Sequence, residues 1–228
     1  MATKSRRFEA VLASAAKLQE IVPDTVLVGG TAAALHAGHR ESMDHDHVLS
    51  DLIERYAEVT DAVEASAGWA TSVRASHPPL TLMGEMDGVR GGIRQLRRSR
   101  PLEVELYDLG ADKTIRVPTL PEILRIKAYL TIERGAARDF LDVAALSEVL
   151  GTDTAAQILQ DIDDYYAVRS NEGEAVSTLV ALALSAPNPV DSPSAPDLTQ
   201  FLGISDRWSQ WDAVVNQCQA VAKKLAVS

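Results

Sequence analysis

The segment from Thr25 to Leu49 constrains the fold of this chain more than any other part of the sequence. It begins with a short apolar run, passes through the Gly29-Gly30 pair into an alanine-rich stretch, and ends in a second run that carries two aspartates. This order predicts a strand, a tight turn, a short helix from Thr31 and a second strand. The chain is therefore expected to contain an α/β unit in its amino-terminal part.

The two aspartates are Asp44 and Asp46, and side chains on a strand alternate between its two faces. If the strand is already extended at Ser42, then Ser42, Asp44 and Asp46 share one face. The Cα atoms of the two aspartates are then about 7 Å apart, so both carboxylates can hold divalent cations over one reacting phosphate. Strands are depleted in Asp, and two on one face repel each other unless a cation lies between them. The alternative is a solvated edge strand without a metal.

Gly29, Gly30 and Thr31 are candidates for nucleotide binding. A diglycine lets a triphosphate approach the backbone closely, and a helix that starts at Thr31 offers it unpaired N–H groups. The alternative is a tight strand-to-helix turn that binds no ligand. Because two carboxylates follow on the next strand, the combination predicts a site for phosphoryl chemistry.

These residues resemble a known family. A strand that ends in GG-[ST], a helix, and a strand that carries D-x-D are similar to the polymerase-beta-type nucleotidyltransferase fold. Further along, the sequence LRIKAYLTIERGAARDFLDVAAL resembles the carboxyl-terminal motifs of the AbiEii-like nucleotidyltransferases, which include toxins of type IV toxin–antitoxin systems and the mycobacterial MenT group. The resemblance covers roughly Val26 to Leu150. It implies an α/β protein with a nucleotidyltransferase-fold mixed β-sheet flanked by helices, followed by an α-helical carboxyl-terminal region.

The resemblance also implies roles for individual side chains. Ser42 matches a serine or threonine of the family's active site, a candidate for contacting phosphate or assisting proton transfer. Lys127 matches a catalytic lysine, whose ammonium group would place a point charge on the triphosphate. In the motif R-D-x-x-D, Arg138 would lie near phosphate and Asp142 near the incoming hydroxyl.

Each of these helical positions also has an ordinary structural interpretation. A lysine at the border of an apolar stripe, such as Lys127, usually extends to water. Arg138 and Asp142 are four residues apart and could form a common helical ion pair. Asp139 is predicted to point away from the face that they share.

Two further segments are open to more than one interpretation. The sequence LEVELYDL alternates like a strand that completes the sheet, and a later strand of this fold often carries a third carboxylate. Glu103 and Glu105 share a face, so periodicity does not choose between them, although Glu105 is preferred. The stretch from Gly88 to Arg100 contains five arginines and no acidic residue. It is either a solvated face or a phosphate groove for an RNA end or for pyrophosphate.

The activity that the resemblance implies is that of a metal-dependent nucleotidyltransferase. It would use a nucleoside triphosphate and Mg²⁺ or Mn²⁺, the metal being held by Asp44 and Asp46. An acceptor hydroxyl, deprotonated with help from Asp142 or a metal, would attack the α-phosphorus and release pyrophosphate. The implied acceptor is the 3′ end of tRNA, and the implied partner is an antitoxin. The alternatives are transfer to a protein or a small molecule, and a catalytically silent nucleotide-binding module.

Four histidines offer a competing chemistry, that of a zinc hydrolase. They fall within twelve residues and are His36, His39, His45 and His47. The motifs H-x-H-x-D-H and H-E-x-x-H are absent, and alternation along the strand points His45 and His47 away from the two aspartates. A structural role is therefore preferred for them.

Composition limits the remaining function classes. The net charge of −10 over 228 residues disfavours nucleic-acid binding by the whole surface, although it is compatible with a local basic site. The single cysteine, Cys218, fits a reducing compartment, and no apolar run has the length of a membrane span, so a cytoplasmic protein is expected. The predicted domains are a nucleotidyltransferase core over residues 1–118 and a helical domain over residues 119–228 that carries Lys127 and the R-D-x-x-D motif.

Overall fold

Seven strands and eight α-helices occur in the residues that the computed structural model describes, which are 5–98, 100–111, 113–166, 173–192 and 194–226. The chain forms two compact units. The first contains the residues up to Ala32 together with Glu41–Thr119, and the second contains Ala33–Arg40 together with the residues from Leu120 onward. The mixed α/β architecture confirms the predicted fold class.

The first unit is built on a five-stranded mixed sheet with the strand order β1-β2-β5-β4-β3. Strand β2 runs antiparallel to β1 and parallel to β5, and β4 runs antiparallel to both β5 and β3. The strands are β1 (Val26–Val28), β2 (His45–Leu49), β3 (Trp69–Thr71), β4 (Thr81–Met86) and β5 (Val89–Gln95). The helices that begin in this unit are α1 (Arg6–Ile21), α2 (Gly29–Ala37) and α3 (Leu52–Glu64).

Strand β5 lies in the middle of the sheet, although the sequence did not predict a strand there. Glycine is unfavourable in strands, so Gly91 and Gly92 make the sequence pattern of a strand unrecognisable in this arginine-rich stretch. Both glycines have a packing reason. A Cβ at Gly91 would overlap the imidazole ring of His45 on β2, and a Cβ at Gly92 would overlap the sulfur of Met83 on β4. Side chains of the neighbouring strands therefore fill the space that side chains on β5 would need.

Helices α1 and α3 pack against one face of the sheet and close its core. Helix α1 begins after Ser5, whose hydroxyl accepts a hydrogen bond from the backbone N–H of Phe8 at 3.2 Å. The apolar residues that these helices and the sheet bury together are Leu18, Val22, Leu49, Leu52, Val59, Val63, Leu82, Met86 and Ile93. Because this face is covered, the charged side chains of β2 and β5, Asp46, Arg90 and Arg94, lie on the opposite face.

Strands β6 (Val104–Gly110) and β7 (Lys113–Pro118) form a separate antiparallel pair. The prediction that this segment completes the same sheet as β2 is therefore wrong. Strand β7 instead packs beside β1 and α1, where the side chain of Gln19 exchanges hydrogen bonds of 2.7 and 2.9 Å with the backbone of Arg116. Glu105, the preferred third carboxylate, is exposed on β6 and thus lies outside the sheet that carries the aspartates.

The second unit is helical, and α5 is its central helix. Ten of the fourteen residues of α5 are buried, because α4, α6 and α8 pack around it. The described helices of this unit are α4 (Leu120–Glu133), α5 (Ala137–Leu150), α6 (Thr152–Gln160), α7 (Val176–Ser185) and α8 (Trp211–Leu225). Cys218 on α8 is fully buried between Val214 and Val221 on the apolar stripe, as a packing role predicts.

The helices in the described ranges do not include one with both the length and the apolar character that crossing a bilayer requires.

Candidate active site

The predicted site residues fall into two groups that belong to different units. One group lies in the first unit and consists of Gly29, Gly30, Thr31, Ser42, Asp44 and Asp46. The other lies in the second unit and consists of Lys127, Arg138 and Asp142.

The carboxylates of Asp44 and Asp46 lie on the accessible side of β2. The strand begins at His45, so Asp44 directly precedes it and Asp46 is its second residue. Both aspartates are partly exposed, whereas His45 and His47 between and after them are buried. The alternation of faces is therefore as predicted, although Ser42 lies ahead of the strand and does not belong to it.

Two hydroxyl groups fix the position of Asp44. Ser42, which is buried, donates a hydrogen bond of 2.9 Å to Oδ1 of Asp44. The hydroxyl of Thr31 donates one of 2.5 Å to the backbone carbonyl of the same residue. Since the Thr31 hydroxyl proton is already used, only the backbone of Thr31 is left to bind phosphate. The carboxylate of Asp44 keeps acceptor capacity on Oδ2.

Gly29 brings the first turn of α2 against Asp46. Its φ of 72° lies in the left-handed region, and a Cβ at this position would stand 3.4 Å from Oδ2 of Asp46. The first N–H groups of a helix have no partner within the helix, and the aligned peptide dipoles make this end attractive to anions. The glycine therefore places an anion-binding helix end next to a carboxylate that can hold a cation.

We expect that Gly29→Ala lowers activity more than its backbone strain alone explains. A suitable control is Gly110→Ala at the last residue of β6, because Gly110 also has a positive φ of 85° but has nothing within 4 Å of its Cβ position. Both variants should lose about 1–2 kcal/mol of unfolding free energy, measured by urea denaturation. Only Gly29→Ala should also reduce the nucleotide transfer that the family resemblance predicts, about tenfold, because its Cβ would contact the carboxylate of Asp46, the predicted metal ligand. Equal activities for the two variants would contradict this assignment.

His45 and His47 occupy the buried side of β2 and act as packing groups. Their rings meet edge to face with centroids 5.3 Å apart. Nε2 of His45 lies 2.9 Å from the hydroxyl of Ser14, and because that hydroxyl donates to the carbonyl of Met86, Nε2 is assigned as the donor. Burial lowers the pKa of His45 to about 4 and lowers the pKa of His47 well below its usual value. Both imidazoles are therefore neutral at neutral pH.

These neutral histidines should make the protein sensitive to mild acid. An unfolded histidine takes up a proton near pH 6.5, whereas the pKa of the folded His47 is well below its usual value. The unfolding free energy is therefore highest above about pH 6.5 and decreases as the pH falls below it, because protons then bind the unfolded chain preferentially. Between pH 7 and 5 each such group removes about 2 kcal/mol of unfolding free energy. Urea denaturation at both pH values should show that His47→Leu loses about 2 kcal/mol less than the unmodified chain. Equal losses would show that His47 is already charged when folded.

In the second unit, Lys127 and Asp142 form a buried ion pair. Nζ of Lys127 lies 2.6 Å from Oδ2 of Asp142, and the side chains are 1% and 0% exposed. The ordinary interpretation of Lys127 as a side chain that extends to water is therefore wrong. A charge buried this deeply is retained only when a counter-charge and hydrogen bonds compensate it.

His39 and Arg40 complete the environment of Asp142; a structural role was predicted for His39, whereas Arg40 was not predicted. Nε2 of His39 lies 2.8 Å from Oδ1 of Asp142, and Arg40 donates to both carboxylate oxygens at 2.8 and 3.0 Å. Burial alone would raise the pKa of Asp142. The charges of Arg40 and Lys127 and the hydrogen bond from His39 outweigh this effect, so the pKa lies well below its usual value. Asp142 is thus ionised at neutral pH, and both of its carboxylate oxygens accept hydrogen bonds. Burial also lowers the pKa of His39, which stays neutral.

The neighbours of Asp142 on α5 differ from the prediction. Asp139, expected to point away, is fully buried: it accepts hydrogen bonds of 2.5 and 2.6 Å from Arg134, and its Oδ1 lies 3.8 Å from Nζ of Lys127. Arg138 is exposed whereas Asp142 is not, so the anticipated helical ion pair between them does not form. Asp139 therefore belongs to the same charge cluster as Lys127.

The residues around β2 fit a magnesium ion better than a zinc ion. Among the residues with described positions, no group of three or more His, Cys, Asp and Glu side chains is arranged to hold a metal. Mg²⁺ needs only one or two protein carboxylates, because it keeps several waters and binds phosphate oxygens of its substrate. Asp44 and Asp46 supply such a pair, whereas a zinc site requires histidine or cysteine ligands that this side of β2 does not offer.

Comparison with solved structures shows that the architecture is a nucleotidyltransferase fold, which the chain shares with a MenT protein. MenT4, a nucleotidyltransferase toxin from Mycobacterium tuberculosis H37Rv, is 17% identical with a TM-score of 0.59, over 96% of this chain and 82% of that chain. JHP933 from Helicobacter pylori is 18% identical with a TM-score of 0.53, over 99% and 96%. ANT(2'')-Ia in complex with adenylyl-2''-tobramycin is 13% identical with a TM-score of 0.51, over 72% and 98%. The predicted MenT-like nucleotidyltransferase fold is thereby confirmed.

Sequence comparison gives a different set of relatives. No protein-family model matches the chain. The chain is 27% identical over 240 residues to the heme uptake protein MmpL11 of Mycobacterium tuberculosis H37Rv. This alignment covers 93% of the chain and 22% of that protein. The chain is 30% identical over 131 residues to the mycolic acid-containing lipids exporter MmpL11 of Mycolicibacterium smegmatis, which covers 56% and 13%. The chain thus spans about a fifth or less of the curated relatives that it matches.

Proposed function

We propose that this chain is a metal-dependent nucleotidyltransferase, which moves a nucleoside monophosphate from a triphosphate to an acceptor hydroxyl and releases pyrophosphate. The observation that carries the proposal is the arrangement around β2. Asp44 and Asp46 face an accessible side, and the first turn of α2 lies against Asp46. Paired carboxylates beside an anion-binding helix end are the components that phosphoryl transfer needs.

Asp44 and Asp46 would hold Mg²⁺ or Mn²⁺. When bound, the metal supplies positive charge to the transferring phosphoryl group and to the leaving pyrophosphate. The hydrogen bonds from Ser42 and Thr31 keep the Asp44 carboxylate and backbone in one orientation before substrate arrives. This preorganisation avoids the cost of ordering the ligand during the reaction.

The triphosphate would bind the backbone of Gly29, Gly30 and Thr31. Their N–H groups lie in the first turn of α2, where they have no helical acceptor. The two glycines leave the backbone accessible to phosphate oxygens. The hydroxyl of Ser42 donates its proton to the Asp44 carboxylate, so Ser42 is proposed to assist proton transfer, or to contact phosphate by exchanging this hydrogen bond for one to a phosphate oxygen.

Lys127 and Arg138 are proposed phosphate ligands on the basis of the family resemblance. For Asp142 the contacts support a holding role: the carboxylate orients the ammonium of Lys127 and the guanidinium of Arg40. A carboxylate that already accepts four hydrogen bonds, and whose pKa is depressed, is a poor proton acceptor at neutral pH. Asp142 is therefore not proposed as the general base; a metal held by Asp44 and Asp46 would instead lower the pKa of the acceptor hydroxyl, so that its proton is lost to solvent water.

The proposed acceptor is the 3′ end of tRNA in the cytoplasm, and the proposed biological role is that of a toxin controlled by a cognate antitoxin. The fold shared with the toxin MenT4 supports this choice. Transfer to a small molecule is the second candidate, because ANT(2'')-Ia, with the same fold, was solved with adenylyl-2''-tobramycin.

Incubation with each labelled triphosphate tests these proposals. The chain is mixed with Mg²⁺ or Mn²⁺ and with tRNA, a protein extract or an aminoglycoside, and both label transfer and pyrophosphate release are measured. We expect transfer to tRNA and pyrophosphate release that depends on the metal. Transfer only to protein or aminoglycoside would overturn the tRNA assignment. Absence of pyrophosphate under every condition would favour a catalytically silent binding module. In that case calorimetry should show triphosphate binding that is unchanged by Asp44→Asn and by metal chelation.

A further inference from the structure

We propose that Arg90 and Arg94 form a docking row for the phosphates of a nucleic-acid acceptor, directly beside the carboxylates of β2. This proposal rests on the nucleotidyltransferase function and extends it, because it assigns two residues to the binding of the acceptor backbone. It assigns a specific role to part of an arginine-rich stretch that the mechanism above does not use.

The strand register places the arginines on the same face as Asp46. In the parallel pairing of β2 with β5, Asp46 is the partner of Gly92. Arg90 and Arg94 are two residues to either side of Gly92, so all three share the face of Asp46. The opposite face of β5 is buried, as the burial of Gly91 and Ile93 shows. Both arginines are exposed.

Arg94 is the closer of the two to the reaction site. Its Nε lies 3.4 Å from Oδ1 of Asp46, and the two side chains are 48% and 35% exposed. An ion pair that exposed is weak, so the guanidinium can exchange the carboxylate for a phosphate at little cost. Arginine matches phosphate oxygens with two parallel hydrogen bonds, which makes this exchange favourable.

The surface between the two arginines is apolar and carries no projecting side chain on β5. Gly92 has no side chain, and the thioether of Met83 covers the position where its Cβ would be. The Cα atoms of Arg90 and Arg94 are four residues apart on one strand, or about 13 Å. An extended chain with regularly spaced phosphates can contact both ends of such a row and rest a sugar or base on the methionine between them.

The local charge also favours a polyanion. The stretch from Gly88 to Arg100 carries five arginines and no carboxylate, within a chain whose net charge is −10. Arg98 is used to hold the following loop, since it donates to the carbonyls of Arg100 and Pro101 at 2.9 and 3.0 Å. Glu85 on β4 is the register partner of Arg90 and weakens its field. Arg94 should therefore contribute more to binding than Arg90.

The test measures RNA binding separately from catalysis. Fluorescence anisotropy with a labelled RNA of about 12 nucleotides gives Kd at several salt concentrations, for the full chain and for Arg94→Gln, Arg90→Gln and the double variant. The control is Arg74→Gln, which removes the same charge from an exposed position on another part of the first unit. Thermal melting verifies that all variants are folded.

We expect Arg94→Gln to weaken RNA binding about tenfold, Arg90→Gln to weaken it less, and Arg74→Gln to leave it unchanged within about twofold. The slope of log Kd against log salt should fall by about 1.4 in the double variant, because each lost phosphate contact removes about 0.7. Triphosphate affinity measured by calorimetry should stay the same. Equal effects of Arg74→Gln and Arg94→Gln, or an unchanged salt slope, would overturn the proposal.

Failure of this proposal can be distinguished from failure of the proposed function. If the double variant transfers nucleotide to RNA as well as the unmodified chain does, the docking row is wrong and the transferase function stands. If RNA binds through the arginines and no triphosphate yields pyrophosphate, the row stands and the function is wrong. If the double variant loses transfer to a protein or an aminoglycoside equally, the row does not select nucleic acid and the proposal is overturned.

Discussion

Asparagine in place of Asp44 or Asp46 is expected to lower the rate of nucleotide transfer about 10³-fold. The amide removes the negative charge that the metal requires and keeps the size of the side chain. In Asp44→Asn the amide oxygen can still accept the hydrogen bond from Ser42, so the local structure should be retained. The measurement is kcat for pyrophosphate release at saturating Mg²⁺, with Mn²⁺ as a second metal.

The matched control is Asp61→Asn, on the exposed surface of α3. It removes the same charge and should change neither kcat nor stability by more than a small amount. Thermal melting should show all three variants folded. More than a tenth of the original kcat in both Asp44→Asn and Asp46→Asn would exclude these carboxylates as the metal ligands.

Asp142→Asn is expected to destabilise the protein by about 3–5 kcal/mol. The amide removes the carboxylate charge that the buried cations Lys127 and Arg40 both contact, and its NH₂ group faces other donors. Because the pKa of Asp142 is depressed in the folded protein, its contribution is present above the pKa of the unfolded carboxyl and is lost as the pH falls through the folded pKa. The difference between variant and unmodified chain should therefore narrow below about pH 4.

Urea denaturation at pH 7 and at acid pH measures this effect. Arg138→Ala, on the same helix and exposed, should change the unfolding free energy by less than about 0.5 kcal/mol. A loss below about 1 kcal/mol for Asp142→Asn would mean that the pair behaves like an exposed one.

His39→Gln keeps a donor near Oδ1 of Asp142 and should lose less stability than His39→Leu, which removes the donor.

Local sequence patterns were sufficient for the elements that carry the carboxylates. The alternation from Asp44 to His47, and the glycine pair before α2, follow from strand and turn geometry within a few residues of the chain. The family motif likewise indicated Lys127 and Asp142 as separate candidate site residues, although not that both are buried and paired with each other. Short-range periodicity is reliable here because one face of each element is covered by the core.

Contacts between distant segments could not be predicted in this way. His39 and Arg40 reach Asp142 across more than 100 residues of sequence, and nothing in their immediate neighbours indicates this partner. Strand β5 was missed because the reason for its glycines lies on other strands, in the side chains of His45 and Met83. The prediction that Asp139 points away from the shared face was wrong. Helical spacing within α5 does not show that Arg134, in the turn before this helix, places its guanidinium against Asp139.

The residues of β5 differ widely in their freedom to vary. Gly91 and Gly92 are fixed by the side chains that overlie them, whereas Arg90 and Arg94 project from the same backbone into solvent. Preference for one acceptor over another can consequently evolve, or be redesigned, by exchanging the two projecting side chains without repacking the interior.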